Sequence, residues 1–419
     1  MRLHIQQIKE GGFPVIYRKL KKFPGRIATY ILICFAIPAV LVIRTIRPFI
    51  HIRFGRFTHS RIGHLAGDVG ILMAERDLKK DTFRDWYWLP RRTCNDQLSR
   101  MIKRDFYARW WVRYLDSANL LIPGGKVHVA INPHSSQGSR DIHGFLNKTK
   151  DVPAAYLPFN SMEESEVEGF MNGLGFRPGE RFVCFIIRDA AYLNTFYHKE
   201  KGWHYHDYRD SDINTYKEAA MALTARGYWV FRMGKIVEKP MSCEHPHIID
   251  YAFHEMRCDL LDIWLMANAH FCVSTGTGLD AVADIYRRPI VYLNFLPCAH
   301  FVLWSHNIST PKQLMWKHTG KELSLKQHLE ANYTDGRKLQ ASGIDVVDLT
   351  PGEIKDAVLE MEERLSGVWV ETPEDIEMQR EFRQIFRDWK GFSKLHDFIH
   401  PDARIGANFL RNCPGFLKR

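Results

Sequence analysis

Residues 270–294 read HFCVSTGTGLDAVADIYRRPIVYLN. HFCVST (270–275) is an apolar run of strand length. It stops at Ser274-Thr275-Gly276-Thr277-Gly278, five small residues that let a backbone come close to a ligand. GLDAVADIYRRP then reads as a helix, with Leu279, Val282, Ala283 and Tyr286 on one face and a stop before Pro289. IVYLNF (290–295) is the next strand. Strand, turn, helix, strand is the repeating unit of a parallel α/β layer. Unpaired N–H groups at a helix start attract phosphate, and ligands of open α/β sheets collect at the carboxyl ends of strands. The amides of this loop, with the hydroxyls of Ser274, Thr275 and Thr277, are therefore expected to cradle a diphosphate without a metal ion. Asp280 stands out, because a carboxylate in the first turn repels phosphate. It is expected to face a ribose or sugar hydroxyl instead.

Fixed cations fall at matching places. Arg188 ends the buried run FVCFIIRD (182–189). Arg232 and Gly234 end YWVFRMG (228–234), and Arg209 precedes a helix that starts near Asp212. Guanidinium forks bind phosphate oxygens in two-point fashion, so these groups are expected to converge on the same crevice. Between them, INTYKEAAMALTARG reads as a helix stopped by Gly227. HIIDYA (247–252) reads as a strand and LLDIWLMANA (260–269) as a helix.

The first half alternates in the same way. FIHIRFGRF (49–57), WYWLP (86–90) and KVHVAINP (126–133) read as strands, SRIGHLAGD as a glycine-punctuated turn, GILMAERDL as a helix, and NDQLSRMIKRDF (95–106) as a helix capped by Asn95. The expected division is a basic membrane-associated segment (1–47), a first lobe (48–157), a linker (158–181), a second lobe (182–370) and a C-terminal helix and tail (371–419). In the last segment PEDIEMQREFRQIFRDW (373–389) is a charged amphipathic helix with Pro373 in its first turn. It is read either as a solvated surface or as a brace that crosses back to the first lobe.

Charge is segregated. Residues 1–61 hold twelve Lys or Arg and one acid, so +11 of the net +10 sits there and the remainder carries −1. Nucleic-acid binders carry their charge on the folded domain, and this distribution argues against that class. Within the basic segment, IATYILICFAIPAVLVI (27–43) has no charge. Its seventeen residues span about 25 Å as a helix, at the lower limit for crossing a bilayer. Arg and Lys flank it on both sides, Pro38 interrupts it, and no small-residue cleavage site follows. A helix lying in or dipping into the cytoplasmic face of an anionic membrane is the expectation, ahead of a single span. No pair of the eight cysteines has CxxC spacing, which fits a reducing compartment. His198, His204 and His206, and likewise His245 and His247, lack metal-site spacing and read as polar loops.

VSTGTGLDAVADIYRRPIVYLN resembles the donor-site segment of B-fold glycosyltransferases such as the heptosyltransferases. With IRFGRFTHSRIGHLAGD, CFIIRDAAYL, YRDSDINTY, FRMGK and ARIGANFL, the chain from about residue 44 resembles a bacterial family assigned as glycosyltransferases and found with surface-polysaccharide genes. The resemblance implies an α/β protein of two Rossmann-like lobes (GT-B type) behind an N-terminal membrane-associated helix, with the donor in the second lobe and the acceptor in the first. It implies a nucleotide-sugar co-substrate, no other cofactor and no metal. The order Thr-Gly-Leu-Asp departs from the heptosyltransferase pattern. The expected partners are the nucleotide-sugar donor, a lipid-linked or glycan acceptor and an anionic membrane surface on the cytoplasmic side of a bacterial inner membrane, with no nucleic acid. For the base that takes the acceptor proton, His64 comes first and Asp68 second. A nucleotide-sugar 2-epimerase and a non-catalytic, membrane-tethered sugar-nucleotide binder are the alternatives.

Overall fold

A computed structural model of the chain describes residues 23–78, 83–130, 157–196, 207–331 and 333–418. Two compact units emerge: Met1–His59 with Lys79–Thr93 and Ser99–Asn132, and Ser60–Leu78 with Cys94–Leu98 and Pro133–Arg419.

The first unit holds three parallel strands in chain order, β1 (Ile52–Arg56), β2 (Arg84–Trp88) and β3 (Tyr107–Arg109). Ile52 faces Arg84 and Trp86 faces Tyr107 across the ladders. Ile52 and Phe54 are buried on one side, with Val112, Leu115 and Ala118 of the helix Val112–Leu121 and with Ala36, Val40 and Ile43 of the helix Phe23–Thr45. The N-terminal helix is thus part of this unit's core and not a separate segment. Among the described residues of KVHVAINP, 126–130, the expected strand does not form. Gly125–His128 is a 3-10 turn, entered through Gly124 in a left-handed conformation, and Val129 makes one bridge to Phe54. The buried His128 ring bonds the Ile52 carbonyl, which fixes the turn. Residues 131–133 lie outside the described residues.

The second unit is built on a seven-stranded, all-parallel sheet: β4 (Arg181–Ile186), β5 (Tyr228–Arg232), β6 (Ile248–Ile249), β7 (Phe271–Ser274), β8 (Ile290–Leu293), β9 (Asn307–Thr310) and, beyond a small antiparallel pair, β12 (Ala403–Ile405). That pair is β10 (Gln313–Trp316) with β11 (Ile344–Val347). β5, β7 and β8 are buried at every position, and β4 at all but Arg181, as strands covered on both faces must be. Across the sheet the order is β12-β9-β8-β7-β4-β5-β6. The chain starts in the middle at β4, winds outward through β5 to β6, then returns to β7 and winds the other way. This is the doubly wound nucleotide-binding order, and its reversal point lies between β4 and β7.

Three expected boundaries shift. SRIGHLAGD is not a turn but the opening of the helix Ile62–Leu78, whose Leu65, Ala66, Val69 and Leu72 are buried on one side. This helix clusters with the second unit. The expected linker holds the helix Ser161–Gly173, closed at its start by reciprocal bonds between Asn160 and Glu163 and buried through Val167, Phe170 and Met171. The C-terminal tail adds β12 to the large sheet. The helix Pro373–Asp388 packs within its own unit: Phe386 stacks on Phe301, and Gln379 exchanges two hydrogen bonds with the backbone of Ile405.

Candidate functional site

At the carboxyl ends of β4, β5, β7 and β8 the second unit forms a half-open cavity of about 700 Å³. Its lining includes Arg188 after β4, Gly234 after β5, Gly276 to Asp280 after β7, and Gly63 and His64 from the first turn of Ile62–Leu78. The loop after β7 is narrow for two reasons. Gly276 has φ +82°, and a side chain there would meet the ring of Phe295 at 2.5 Å. Gly63 and Gly278 meet backbone to backbone, so a Cβ on Gly63 would lie 2.8 Å from the Cα of Gly278. Only glycine on the helix allows that approach.

The loop is organised around Asp280, which is 5% exposed. Its carboxylate accepts from the Ser274 hydroxyl at 2.7 Å, the Thr277 amide at 2.6 Å and the Thr277 hydroxyl at 3.1 Å. The Gly276 amide donates to Ser274 Oγ at 3.0 Å, and the Arg188 amide donates to Thr275 Oγ1 at 2.9 Å. Asp280, expected from sequence to face a ribose or sugar hydroxyl, spends its carboxylate on its own loop. Ser274 and Thr275 are fully buried scaffold, and the amides of Gly276 and Thr277 face inward partners. The turn leads directly into the helix Asp280–Ile285, and Gly278, Leu279, Asp280 and Ala281 line the cavity. Burial pushes the Asp280 carboxyl up to about 6 against these hydrogen bonds, which pull it down.

Two of the three expected arginines come together. Arg188 lines the cavity, with its Nε on Asp210 Oδ1 at 2.9 Å. Arg209 also lines it, and its Nη2 donates to the Gly276 carbonyl at 2.9 Å. The segment carrying Arg209 is pinned from several sides. Ser211 N donates to the Arg188 carbonyl, Asn294 Nδ2 to Ser211 Oγ at 2.9 Å, and Lys312 Nζ to the Asp210 carbonyl at 2.7 Å. Burial, and then the charge of Arg188, push the Arg209 pKa down. Two guanidiniums held close in a desolvated wall repel one another, and an anion between them relieves that repulsion. Arg232 is not part of this group. It is 1% exposed, bonded to Asp250 at 3.2 Å and to the Lys239 carbonyl at 3.1 Å, and outside the lining. Asp68 is buried and outside the lining too, whereas His64 is in it.

Asp284, His300 and Trp304, polar or aromatic lining residues, were not anticipated from sequence. Asp284 lies one helical turn after Asp280. Burial and then the charge of Asp280 push its carboxyl up to about 7, and Trp304 Nε1 donates to it at 3.4 Å. His300 follows β8, its imidazole pKa depressed by burial and by Arg209. The spacing of Asp280 and Asp284 at i and i+4 was a readable signal for a shared face; nothing local marks His300. Among the described residues no three His, Cys, Asp or Glu side chains converge as metal ligands. His245 and His247 form a loop contact, with His247 stacked on Trp229, and His198, His204 and His206 lie outside the described residues.

Solved structures similar to this chain include glycosyltransferases and a protein from Listeria monocytogenes assigned as a UDP-N-acetylglucosamine 2-epimerase, the latter 9% identical over 58% of this chain and 79% of that one at a TM-score of 0.29. A family 9 glycosyl transferase from Veillonella parvula is 12% identical, covering 62% of this chain and 86% of that one, with a TM-score of 0.40. The E. coli ADP-heptose lipopolysaccharide heptosyltransferase II is 15% identical over 74% of this chain and all of that one, at 0.37. TibC of enterotoxigenic E. coli, a dodecameric iron-containing heptosyltransferase solved with ADP-D-β-D-heptose, is 13% identical over 75% and 76%, at 0.33. No protein-family model matches the chain, and no curated protein matches it.

Proposed function

We propose that this protein is a glycosyltransferase that moves a hexosyl or related group from a nucleotide-activated donor to a surface-glycan acceptor, lipid-linked in the reading we favour. The observation that carries this is the pair Arg188 and Arg209 beside the glycine turn at the sheet's reversal point. Sugar transfer from such a donor needs a place where charge on a departing diphosphate is stabilised. In this reading the acceptor hydroxyl oxygen bonds to the anomeric carbon. The bond from that carbon to the diphosphate oxygen breaks, and its electron pair leaves on the diphosphate. Arg188, Arg209 and the amides from Gly278 onward take up that charge, so no metal ion is required. The hydroxyl proton passes to a lining base, and His64 is the first assignment. Gly234 and Thr277 lie on the donor's path. A cavity of about 700 Å³ suits a sugar nucleotide, since ligand sites run to roughly 300–1,000 Å³.

The test is calorimetric titration of ADP, UDP, GDP and CDP and their sugar conjugates, with and without a chelator. Binding of one nucleoside diphosphate that survives chelation and is weakened about 10–100-fold in Arg209→Gln is the expected result. No binding by any of them overturns the reading. Conversion of a bound donor to its 2-epimer without an acceptor, or binding with no turnover on any glycan fraction, replaces it with one of the two alternatives.

A further inference from the structure

The helix Phe23–Thr45 is long and apolar enough to cross a membrane, yet it is built into a globular unit. Ala36, Val40 and Ile43 are buried against Val112, Leu115 and Ala118. At its C-terminal end Arg44 donates to the carbonyls of Asn119 (2.8 Å), Ile122 (3.1 Å) and Pro123 (2.7 Å) and to the Asn119 side chain. Near its N-terminal end Thr29 Oγ1 accepts from Arg113 at 3.4 Å. The helix is therefore fastened along its length to Val112–Leu121.

Among the described residues the opposite side is apolar and exposed. Tyr30, Ile31, Phe35, Leu41 and Val42 are 47–77% exposed, and no charge occurs between Arg26 and Arg44. A surface helix in water shows polar residues there. The apolar surface continues past the Arg44 clamp: Leu120 and Leu121 are 60% and 69% exposed, and Phe49, which follows the helix, 88%. Tyr107 and Trp110, part-exposed amphipathic rings, belong to the same unit; Arg109 lies over Tyr107 and Arg91 over Trp110. Such rings favour the headgroup level of a bilayer.

We propose that this face lies in the plane of an anionic bilayer, immersed to headgroup depth, without crossing it. Anionic lipid is the occupant because residues 1–61 carry twelve basic side chains and one acid, and each juxtamembrane cation adds about 1 kcal/mol on such a surface. Crossing is opposed by the partner helix. It would carry Arg113 and Asp116 into hydrocarbon, at about 2.5–3.5 kcal/mol per charge at the centre, and a three-stranded open sheet with them, whose edges lipid cannot satisfy. The inference is independent of sugar transfer.

The experiment is sedimentation of the full chain with vesicles of phosphatidylcholine, with and without phosphatidylglycerol. Binding to the mixed vesicles alone, weakened by salt, is expected. Phe35→Glu with Val42→Glu should weaken it about tenfold or more while the circular dichroism and melting curve stay unchanged, because both side chains point outward. Depth is read by nitroxide-lipid quenching of a fluorophore on Cys34, with Cys94, Cys243 and Cys258 changed to Ser, and then on Val42→Cys with Cys34→Ser. Equal, shallow quenching at both positions is the expected result. A depth difference near the roughly 12 Å that eight helical residues span overturns the in-plane arrangement. Failure to bind, binding indifferent to anionic lipid, or a stable dimer that hides the face overturns the proposal.

Discussion

The backbone N–H of Arg188 donates to the hydroxyl of Thr275 at 2.9 Å, joining the ends of β4 and β7 where the winding of the sheet reverses. One residue's amide thereby fixes the glycine turn against the strand that delivers a cavity-lining guanidinium. Thr275 is 1% exposed, so water cannot replace it. Thr275→Val keeps the shape and removes the acceptor, leaving a buried amide unpaired. A loss of about 1–3 kcal/mol is expected by denaturant unfolding, with Thr275→Ser costing less than Thr275→Val. Equal stability of the Val variant and wild type would show that the bond contributes nothing.

Arg209 is held in a repulsive setting, and its removal should separate stability from binding. Arg209→Gln relieves the repulsion with Arg188 while giving up the bond to the Gly276 carbonyl, so unfolding free energy should move by less than about 1 kcal/mol. Nucleoside diphosphate affinity should fall about 10–100-fold, the worth of one charge-assisted hydrogen bond. Changing Arg188 as well should cost less than the sum of the single changes, because the two groups share one anion. Calorimetry on the three variants decides.

Alanine at the two facing glycines should not be equivalent. On Gly63 the added carbon meets backbone atoms of Gly278 at 2.8 and 2.9 Å, whereas on Gly278 its nearest neighbour is at 3.2 Å. Backbone cannot swing aside as a side chain can. Gly63→Ala should lower stability by about 1–3 kcal/mol and Gly278→Ala by less. Thermal melts of both variants check the order, and the reverse order would place the close approach elsewhere.

Asp284 should make stability depend on pH. Its folded pKa, near 7, lies above the unfolded value. Stability from the protonated form is then full below about pH 4 and is lost as pH rises through 7. Asp284→Asn removes that dependence. The variant should be more stable than wild type at pH 8, by on the order of 2 kcal/mol, and the gap should close towards pH 4. Taking the difference also cancels His328 and His396, whose pKa values burial lowers to about 4 and which act in the opposite direction. A gap constant with pH would show that Asp284 titrates normally.

The second unit was legible because its strands are buried on both faces and therefore written as apolar runs: FVCFII, YWVF, FCVS and IVYL each stand in the sheet. Its connections were legible at the glycine stops and caps; Asn95, for instance, accepts from the Leu98 amide at 2.8 Å. SRIGHLAGD misled because its glycines look like punctuation when they are clearance for another backbone. Asp280 misled because its three donors lie three to six residues back along the chain and are themselves small polar residues, so the contest between self-capping and ligand binding was decided by geometry alone. Arg232 sat at the right strand end, but its side chain turned to Asp250. His300 and Trp304 could not be read at all, since their place in the cavity depends on how the loop after β8 folds back.

The helix Ile62–Leu78 lies early in the chain but folds with residues that come mostly after Pro133. A fragment beginning at residue 133 would keep all seven strands of the large sheet yet lose Gly63, His64 and one wall of the cavity. Dissection of the protein by sequence order would thus return a domain with a sheet and an incomplete site. Recombining halves from related chains would carry the same hazard, because Gly63 and Gly278 must be inherited together.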